Sequence, residues 1–293
     1  MSQNKHIPSS ASGWLNGFIG MLIFSGSLPA TRVAVLAFDP VFLTAARASI
    51  AGGVALLLLL KLKQSWPSAN QIGPLIIVSI GVVIGFPLLT ALALQHVTSA
   101  HSIVFLGLLP LTTATFGVIR GGERPRPAFW GFSIVGSLLV MGFALSQGGS
   151  ASLVGDLLML AAVVICGLGY AEGAKLSRSM GGWQVICWAL VLSLPLMIMM
   201  AWLLQPETVA QVDLAAWLGL AYVSLFSMLI GFFFWYKGLA QGGIAAVGQL
   251  QLLQPFFGLA LAAWLLHEAV SPTMLFTTLG VILCVAGSKR FGR

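Results

Sequence analysis

The residues of this chain that could do chemistry are few, and most carry no charge. Only 7% of its 293 residues are Asp, Glu, Lys or Arg. Inside or beside long apolar runs the ionisable side chains reduce to Arg47, Glu172, His96 and His101. An ionisable group held in hydrocarbon is costly and marks function by default. The spacing also offers each a structural role. Arg47 reads as a snorkelling or interhelical salt-bridge residue. Glu172 stands three residues before Lys175, as neighbours on a helix face do. The two histidines read as interfacial side chains at a turn.

Amides, hydroxyls and carbonyls form the richer set. Pro29, Pro87, Pro110, Pro195 and Pro255 all fall within apolar runs. A proline inside a helix leaves the carbonyl four residues earlier without a donor and kinks the helix. Those carbonyls belong to Ser25, Val83, Leu106, Val191 and Gln251. At helical spacing, Gly248, Gln251, Gln254, Pro255, Gly258 and Ala262 share one face. Ile103, Gly107, Pro110, Thr113 and Gly117 share the corresponding face of an earlier run. Two glutamines facing lipid tails would be expensive. Their face therefore meets a cavity, or another helix packed through small residues.

This inventory suits a zwitterion with an apolar side chain. Carbonyls such as that of Leu106, and the oxygens of Gln251 and Gln254, accept from an ammonium group. Amide NH₂ groups and the hydroxyls of Ser25, Ser27, Thr112 and Thr113 donate to a carboxylate. Tyr222 and Phe226 supply aromatic wall for the side chain. With no buried full charge to enforce selectivity, the expected substrate range is broad, and the five prolines are the candidate helix breaks and gates. The spacings for catalysis or cofactors are missing. There is no G-x-x-x-x-G-K-[ST] and no H-E-x-x-H. Cys166, Cys187 and Cys284 lack C-x-x-C spacing and read as packing residues. No Ser/His/Asp or carboxylate pair sits at a common depth. The expectation is no metal, no cofactor and no enzyme.

The elements that must position these groups follow from composition. The chain is 58% hydrophobic, whereas soluble domains carry roughly 25% charged residues. A chain so poor in charge cannot coat a water-facing surface, which excludes an ordinary soluble enzyme, a disordered chain and a nucleic-acid binder. A helix needs about 20 mostly apolar residues to cross a bilayer. The long unbroken runs here are helical rather than the short alternating segments of a barrel. They divide into ten spans: 13–35, 39–61, 70–94, 98–119, 128–146, 153–174, 183–204, 214–236, 243–266 and 272–288. Leu28-Pro29-Ala30 is a weak cleavage signal, but the apolar run continues to Phe38 and reads as a span rather than a leader.

Charge sets the orientation. Twelve of the fourteen Lys and Arg fall at one set of ends, Arg32 and Arg47 being the exceptions. The positive-inside rule then puts both termini in the cytoplasm. The net charge of +7 is a topology signal and not a nucleic-acid footprint.

A shift of 145 residues superimposes the chain on itself. It pairs Leu94 with Leu239, Ala100 with Ala245, Leu108 with Leu253 and Pro110 with Pro255. It continues through Glu123 and Glu268, Pro127 and Pro272, Leu138 and Leu283, Val140 and Val285, Gly142 and Gly287. The chain thus reads as a tail (1–12) and two five-helix repeats (13–147 and 153–290). An odd number of spans per repeat turns one upside down relative to the other, a build that places a substrate site near the midplane. Glycines four apart recur at Gly13/Gly17, Gly81/Gly85, Gly169/Gly173 and Gly238/Gly242, the spacing of close helix packing.

These residues resemble the drug/metabolite transporter superfamily, in its EamA-type ten-helix branch. The resemblance rests on Tyr236-Lys237-Gly238-Leu239-Ala240, Pro255, His267-Glu268, Pro272, Gly280 and Gly287, with Phe24-Ser25-Gly26-Ser27 and Ala30-Thr31-Arg32 in the opening helix. It implies an all-α membrane protein of ten helices in two inverted repeats. Spans 1, 3, 4, 6, 8 and 9 would line the centre, with 5 and 10 outside. The chain is most similar to bacterial inner-membrane exporters of amino acids, aromatic ones included. The small multidrug members keep a glutamate in their first helix, whereas residues 13–31 here hold no acid, so the resemblance does not extend to their efflux of lipophilic cations. The expected partners are amino-acid substrates and membrane lipid, with a monomer as the working unit. Export of other metabolites or drugs is the alternative within the family. A channel, a scramblase or an intramembrane enzyme is the alternative outside it.

Overall fold

A computed structural model describes residues 10–97, 99–146, 152–206, 212–258, 260 and 272–292. Lys5, Glu207, Ala262, His267, Glu268 and Arg293 lie outside the described residues. Among the described residues nine helices are long and apolar enough to cross a membrane: Ala11–Val35, Pro40–Lys61, Ala69–Ala93, His101–Ile119, Pro127–Ser146, Leu153–Met180, Gly182–Leu203, Leu214–Gly242 and Pro272–Phe291. They are spans 1–8 and 10. Span 9 begins with Ile244–Gly248 and continues through Gln249–Leu253. The fold is the all-helical, two-repeat bundle.

Local chemistry explains where the helices start and stop. Asp39 accepts from the backbone N–H groups of Val41 and Phe42 at 2.8 and 3.0 Å, and Pro40 follows it. That arrangement is an N-cap on span 2. Gly181 and Gly243 take φ of 92° and 99°, a backbone region that only glycine enters freely. They make the tight turns from span 6 to 7 and from span 8 to 9. Spans 6 and 8 run on to Met180 and Gly242, past the expected ends at 174 and 236. Lys175 and Lys237 do not stop a helix, because a long side chain carries its charge to the membrane surface while the backbone continues.

Packing follows the duplication. Span 1 packs on span 8 and span 6 on span 3, and these two pairs exchange under the 145-residue shift. Spans 2 and 7, 4 and 9, and 5 and 10 each pack on their own equivalent. Side chains such as Leu57 and Phe276 are exposed on the outside, as lipid-facing positions are. The repeated glycine pairs find each other. A Cβ on Gly13 would sit 2.7 Å from Gly242 Cα, one on Gly238 2.7 Å from Gly17 Cα, and one on Gly81 3.0 Å from Gly169 Cα. Spans 1 and 8 therefore meet backbone to backbone near the start of span 1, and spans 3 and 6 near mid-depth.

Among the described residues the basic side chains other than Arg32 and Arg47 gather at one end of the bundle, where side chains tie the halves together. The Glu123 carboxylate accepts from the N–H groups of Ile244 and Ala245 at 2.7 and 2.8 Å, and from Arg178 at 3.0 Å. It caps span 9 across the repeat boundary, where an anion complements the helix dipole. Glu172 is 1% exposed and takes a 2.8 Å hydrogen bond from Arg120 Nε. This corrects the expected pairing with Lys175, which is exposed. A side chain on span 4 reaches Glu172 because spans 4 and 6 pack together, a contact that sequence spacing does not encode. The hydrogen bond, then the charge, of Glu172 raises the Arg120 pKa above its ordinary value. The stabilisation is complete below that ordinary value and is lost only above it, so the arginine stays charged throughout the neutral range. At the opposite end His101 Nε2 lies 2.8 Å from Asp156 Oδ1.

Candidate functional site

The irregular turns of the helices converge on one place. Span 1 breaks at Gly26 between Ser10–Ser25 and Ser27–Val35. Span 4 breaks at Gly107 and Leu108, ahead of Pro110. Span 9 tightens into a 3₁₀ turn over Gln249–Leu253, ahead of Pro255. Span 3 opens into a π-helical stretch at Ser79–Gly85, ahead of Pro87. Span 8 does the same at Tyr222–Ile230. Shifted by 145, the first π stretch falls inside the second and the span 4 break falls inside the 3₁₀ turn. The missing proline N–H and the crowding of its ring account for the distortions at Pro87, Pro110 and Pro255. Pro29 follows the Gly26 break by three residues. Pro195 differs, since Gly182–Leu203 runs through it as one helix.

Between these irregular segments lies a chamber with about 590 Å³ of empty space, its mouth included. Span 1 contributes Phe24, Ser27, Leu28 and Thr31, and span 3 contributes Val82, Phe86, Pro87 and Thr90. Leu106 and Leu109 come from span 4, Tyr170 from span 6, Ser227 and Phe232 from span 8, and Gln254 from span 9. Span 2 adds Arg47. The lining therefore includes the six spans expected and one that was not. Three pairs of lining residues are equivalent under the repeat: Val82 with Ser227, Pro87 with Phe232, and Leu109 with Gln254. The chamber thus straddles the relation between the two halves.

The polar groups are concentrated. Ser27 Oγ and Ser227 Oγ lie 2.8 Å apart. Arg47 Nη2 donates to Ser227 Oγ at 3.4 Å. Arg47 is 7% exposed, and its Nε and the Thr90 hydroxyl are buried without a partner. Among the described residues no carboxylate oxygen lies within 4.0 Å of Arg47. The expected roles of snorkelling or salt-bridging do not describe this guanidinium. It faces the chamber, which corrects the expectation that no buried full charge lies at the site. The signal was present in the sequence, since Arg47 sits alone in an apolar run. What could not be read was which face of span 2 looks inward.

Of the residues expected to bind substrate, the chamber collects Ser27, Leu106 and Gln254. The others lie outside its lining, each with a visible reason. Ser25 Oγ donates to the Met21 carbonyl at 3.0 Å. Thr112 Oγ1 donates to the carbonyls of Leu109 and Val163 at 2.9 and 3.2 Å. Thr113 is buried where spans 4 and 9 meet, beside Gly248. Gln251 is buried next to Tyr170. Tyr222 donates to the Ile23 carbonyl at 2.6 Å and stacks on Phe226 with ring centroids 5.6 Å apart, on the outer side of the span 1 bend. Of the five prolines, only Pro87 lines the chamber.

Carbonyls at the span 1 break are not left open for a ligand. Tyr222 covers Ile23, and Gln254 Nε2 donates to the Phe24 carbonyl at 3.2 Å. The backbone of Gly258 packs against the Ser25 carbonyl. A buried carbonyl without a donor is costly, and neighbouring spans supply the cover.

Comparison with known proteins places this geometry. Residues 11–146 and 153–288 each match the EamA-like transporter family. An uncharacterized transporter of Bacillus subtilis (strain 168), YdeK, is 66% identical over 97% of this chain and 99% of its own length. A second uncharacterized transporter of that organism, YyaM, is 22% identical over 92% of this chain and 90% of its own length. A solved structure described only as a crystal structure of a protein shares the fold, with TM-score 0.79 and 21% identity, covering 96% of this chain and 99% of that one.

Proposed function

Because this chain belongs to the EamA-like transporter family, within the drug/metabolite transporter superfamily, we propose that it exports neutral and aromatic amino acids by alternating access. One observation carries the reading: equivalent positions of both repeats meet in the same chamber. A rocking motion of one repeat against the other would expose such a site first to one side and then to the other. The walls support the substrate class. Phe24, Phe86, Tyr170 and Phe232 offer apolar and aromatic surface for a side chain, and Ser27, Ser227 and Gln254 offer hydrogen bonds to its polar end.

The concentration of Lys and Arg at one end supports a bacterial plasma-membrane protein with both termini in the cytoplasm. A chamber enclosed by one chain supports a monomer as the working unit. The test is counterflow in proteoliposomes preloaded with unlabelled leucine or phenylalanine. Labelled amino acid should accumulate transiently and saturably, and several neutral amino acids should compete. Flux that is linear in concentration and shows no counterflow would make the protein a channel. Counterflow of other metabolites but of no amino acid would remove the substrate assignment.

A further inference from the structure

Resting on the reading of the chamber as a substrate site, we propose that Arg47, with the hydroxyls of Ser27 and Ser227, anchors a carboxylate. The cargo must then carry that anionic group, while an amine on it is dispensable.

The argument starts from an unbalanced charge. A guanidinium stays protonated in proteins. Burying it without a counter-charge is strongly unfavourable. Arg47 is 7% exposed and its Nε has no partner. Among the described residues its hydrogen bonding is limited to the long 3.4 Å donation from Nη2 to Ser227 Oγ. Among the described residues no carboxylate answers it. The other arginine outside the basic set differs, because Arg32 Nη1 donates to the Leu94 carbonyl at 2.9 Å and ties spans 1 and 3 together. Nor does the duplication impose the charge, since the position equivalent to Arg47 is Leu192. An anion entering the chamber would satisfy the free edge of the guanidinium.

The geometry selects the kind of anion. A guanidinium presents planar donors in a fork that matches the two oxygens of a carboxylate. The two serine hydroxyls beside it lie 2.8 Å apart. One hydroxyl hydrogen bridges the pair and the other remains free to donate to the same anion. No Asp or Glu lines the chamber among the described residues. An ammonium group would therefore meet only neutral acceptors such as the Gln254 carbonyl oxygen, while the carboxylate meets a full charge. Lipophilic cations would be repelled by Arg47 itself.

The proposal is tested by thermal unfolding of the purified full-length protein in detergent with four probes: 3-phenylpropanoate, L-phenylalanine, L-phenylalaninamide and 2-phenylethylammonium. The two carboxylates should raise Tm in a saturable way, and the amide and the amine should not. Arg47→Met should lose the carboxylate response while keeping or raising the ligand-free Tm, because an apolar chain replaces an unpaired buried charge. Arg47→Lys, which keeps the charge without the fork, should bind the carboxylates at least ten-fold more weakly. The proposal is overturned if neither carboxylate raises Tm, if the amide or amine raises it equally, or if Arg47→Met and Arg47→Lys respond as the parent protein does. It is also overturned if both variants lose ligand-free stability, because Arg47 would then be holding the fold. Carboxylate-dependent stabilisation without amino-acid counterflow would refute the amino-acid reading and leave the anchor standing. Amino-acid counterflow inhibited equally by amides would do the reverse.

Discussion

The first and second repeats place their helices alike but furnish the shared chamber differently. At three equivalent pairs the first repeat presents Val82, Pro87 and Leu109, and the second presents Ser227, Phe232 and Gln254. Among the described lining residues the one charged side chain comes from the first repeat, as Arg47 opposite Ser227. The contrast extends to packing. Gly17 and Gly238 let spans 1 and 8 touch backbone to backbone, whereas the equivalent positions in the span 6 and 3 pair are Ala162 and Ala93. Duplication thus supplied the scaffold, including the paired π stretches, and divergence supplied the chemistry. A site built from equal halves would favour a symmetric ligand. This one combines the polar groups of Ser27, Arg47, Ser227 and Gln254 with apolar and aromatic wall drawn from both repeats, as an amphipathic ligand requires.

Substitutions that make one repeat resemble the other test the contrast directly. The largest effect belongs to Gly238→Ala, which copies Ala93. Its Cβ would lie 2.7 Å from Gly17 Cα, where only backbone can yield, so a loss of about 3 kcal/mol is expected. Reversible unfolding in mixed micelles would measure it, and a loss no larger than that of an exposed Ala substitution would dismiss the close-packing argument.

Next is Gln254→Leu, which copies Leu109. It leaves the Phe24 carbonyl without its side-chain donor, at a cost of about 1–3 kcal/mol. Transport in proteoliposomes should fall by roughly ten-fold, since losing an amide hydrogen bond to the substrate worth about 1.4 kcal/mol is a factor of ten in binding. Gln251→Ala, outside the lining, should leave half-saturation unchanged, and equal losses in both variants would blur the distinction between the two glutamines.

Ser227→Val, which copies Val82, removes the hydroxyl between Arg47 and Ser27. A net loss of about 1 kcal/mol in substrate binding is expected, read as a several-fold rise in half-saturating concentration with normal protein yield. The smallest effect is the reciprocal Val82→Ser. Its hydroxyl would face the chamber, so stability should change by no more than about 0.5 kcal/mol. A large gain in transport from Val82→Ser would show that the apolar wall limits flux instead of seating the side chain.

Much of the fold could be read without coordinates because its constraints are one-dimensional. Span count follows from apolar run length, and the repeat from a single register that holds scarce Glu and Pro residues in step. The glycine spacing predicted close packing but not which pairs would meet. Ser27, Leu106 and Gln254 were legible as chamber residues because polarity or a proline marked them. Ser25, Thr112 and Thr113 carried the same marks. A hydroxyl on a helix can equally bond the carbonyl three or four residues back, and Ser25 and Thr112 do so. Arg47 was visible as an oddity, but its role depended on the absence of a partner in space.

By itself the sequence determined class, orientation signal, duplication and the places where helices cannot stay regular. Each of these is set by local energetics: hydrocarbon excludes charge and open backbone groups, and proline cannot donate. The tertiary structure decided which faces turn inward, which carbonyls are covered by neighbouring spans, and that a lone guanidinium ends beside two hydroxyls from different repeats. Those outcomes depend on how helices far apart in the chain rotate against one another, and a 3.6-residue period leaves that rotation open until the partners are in place.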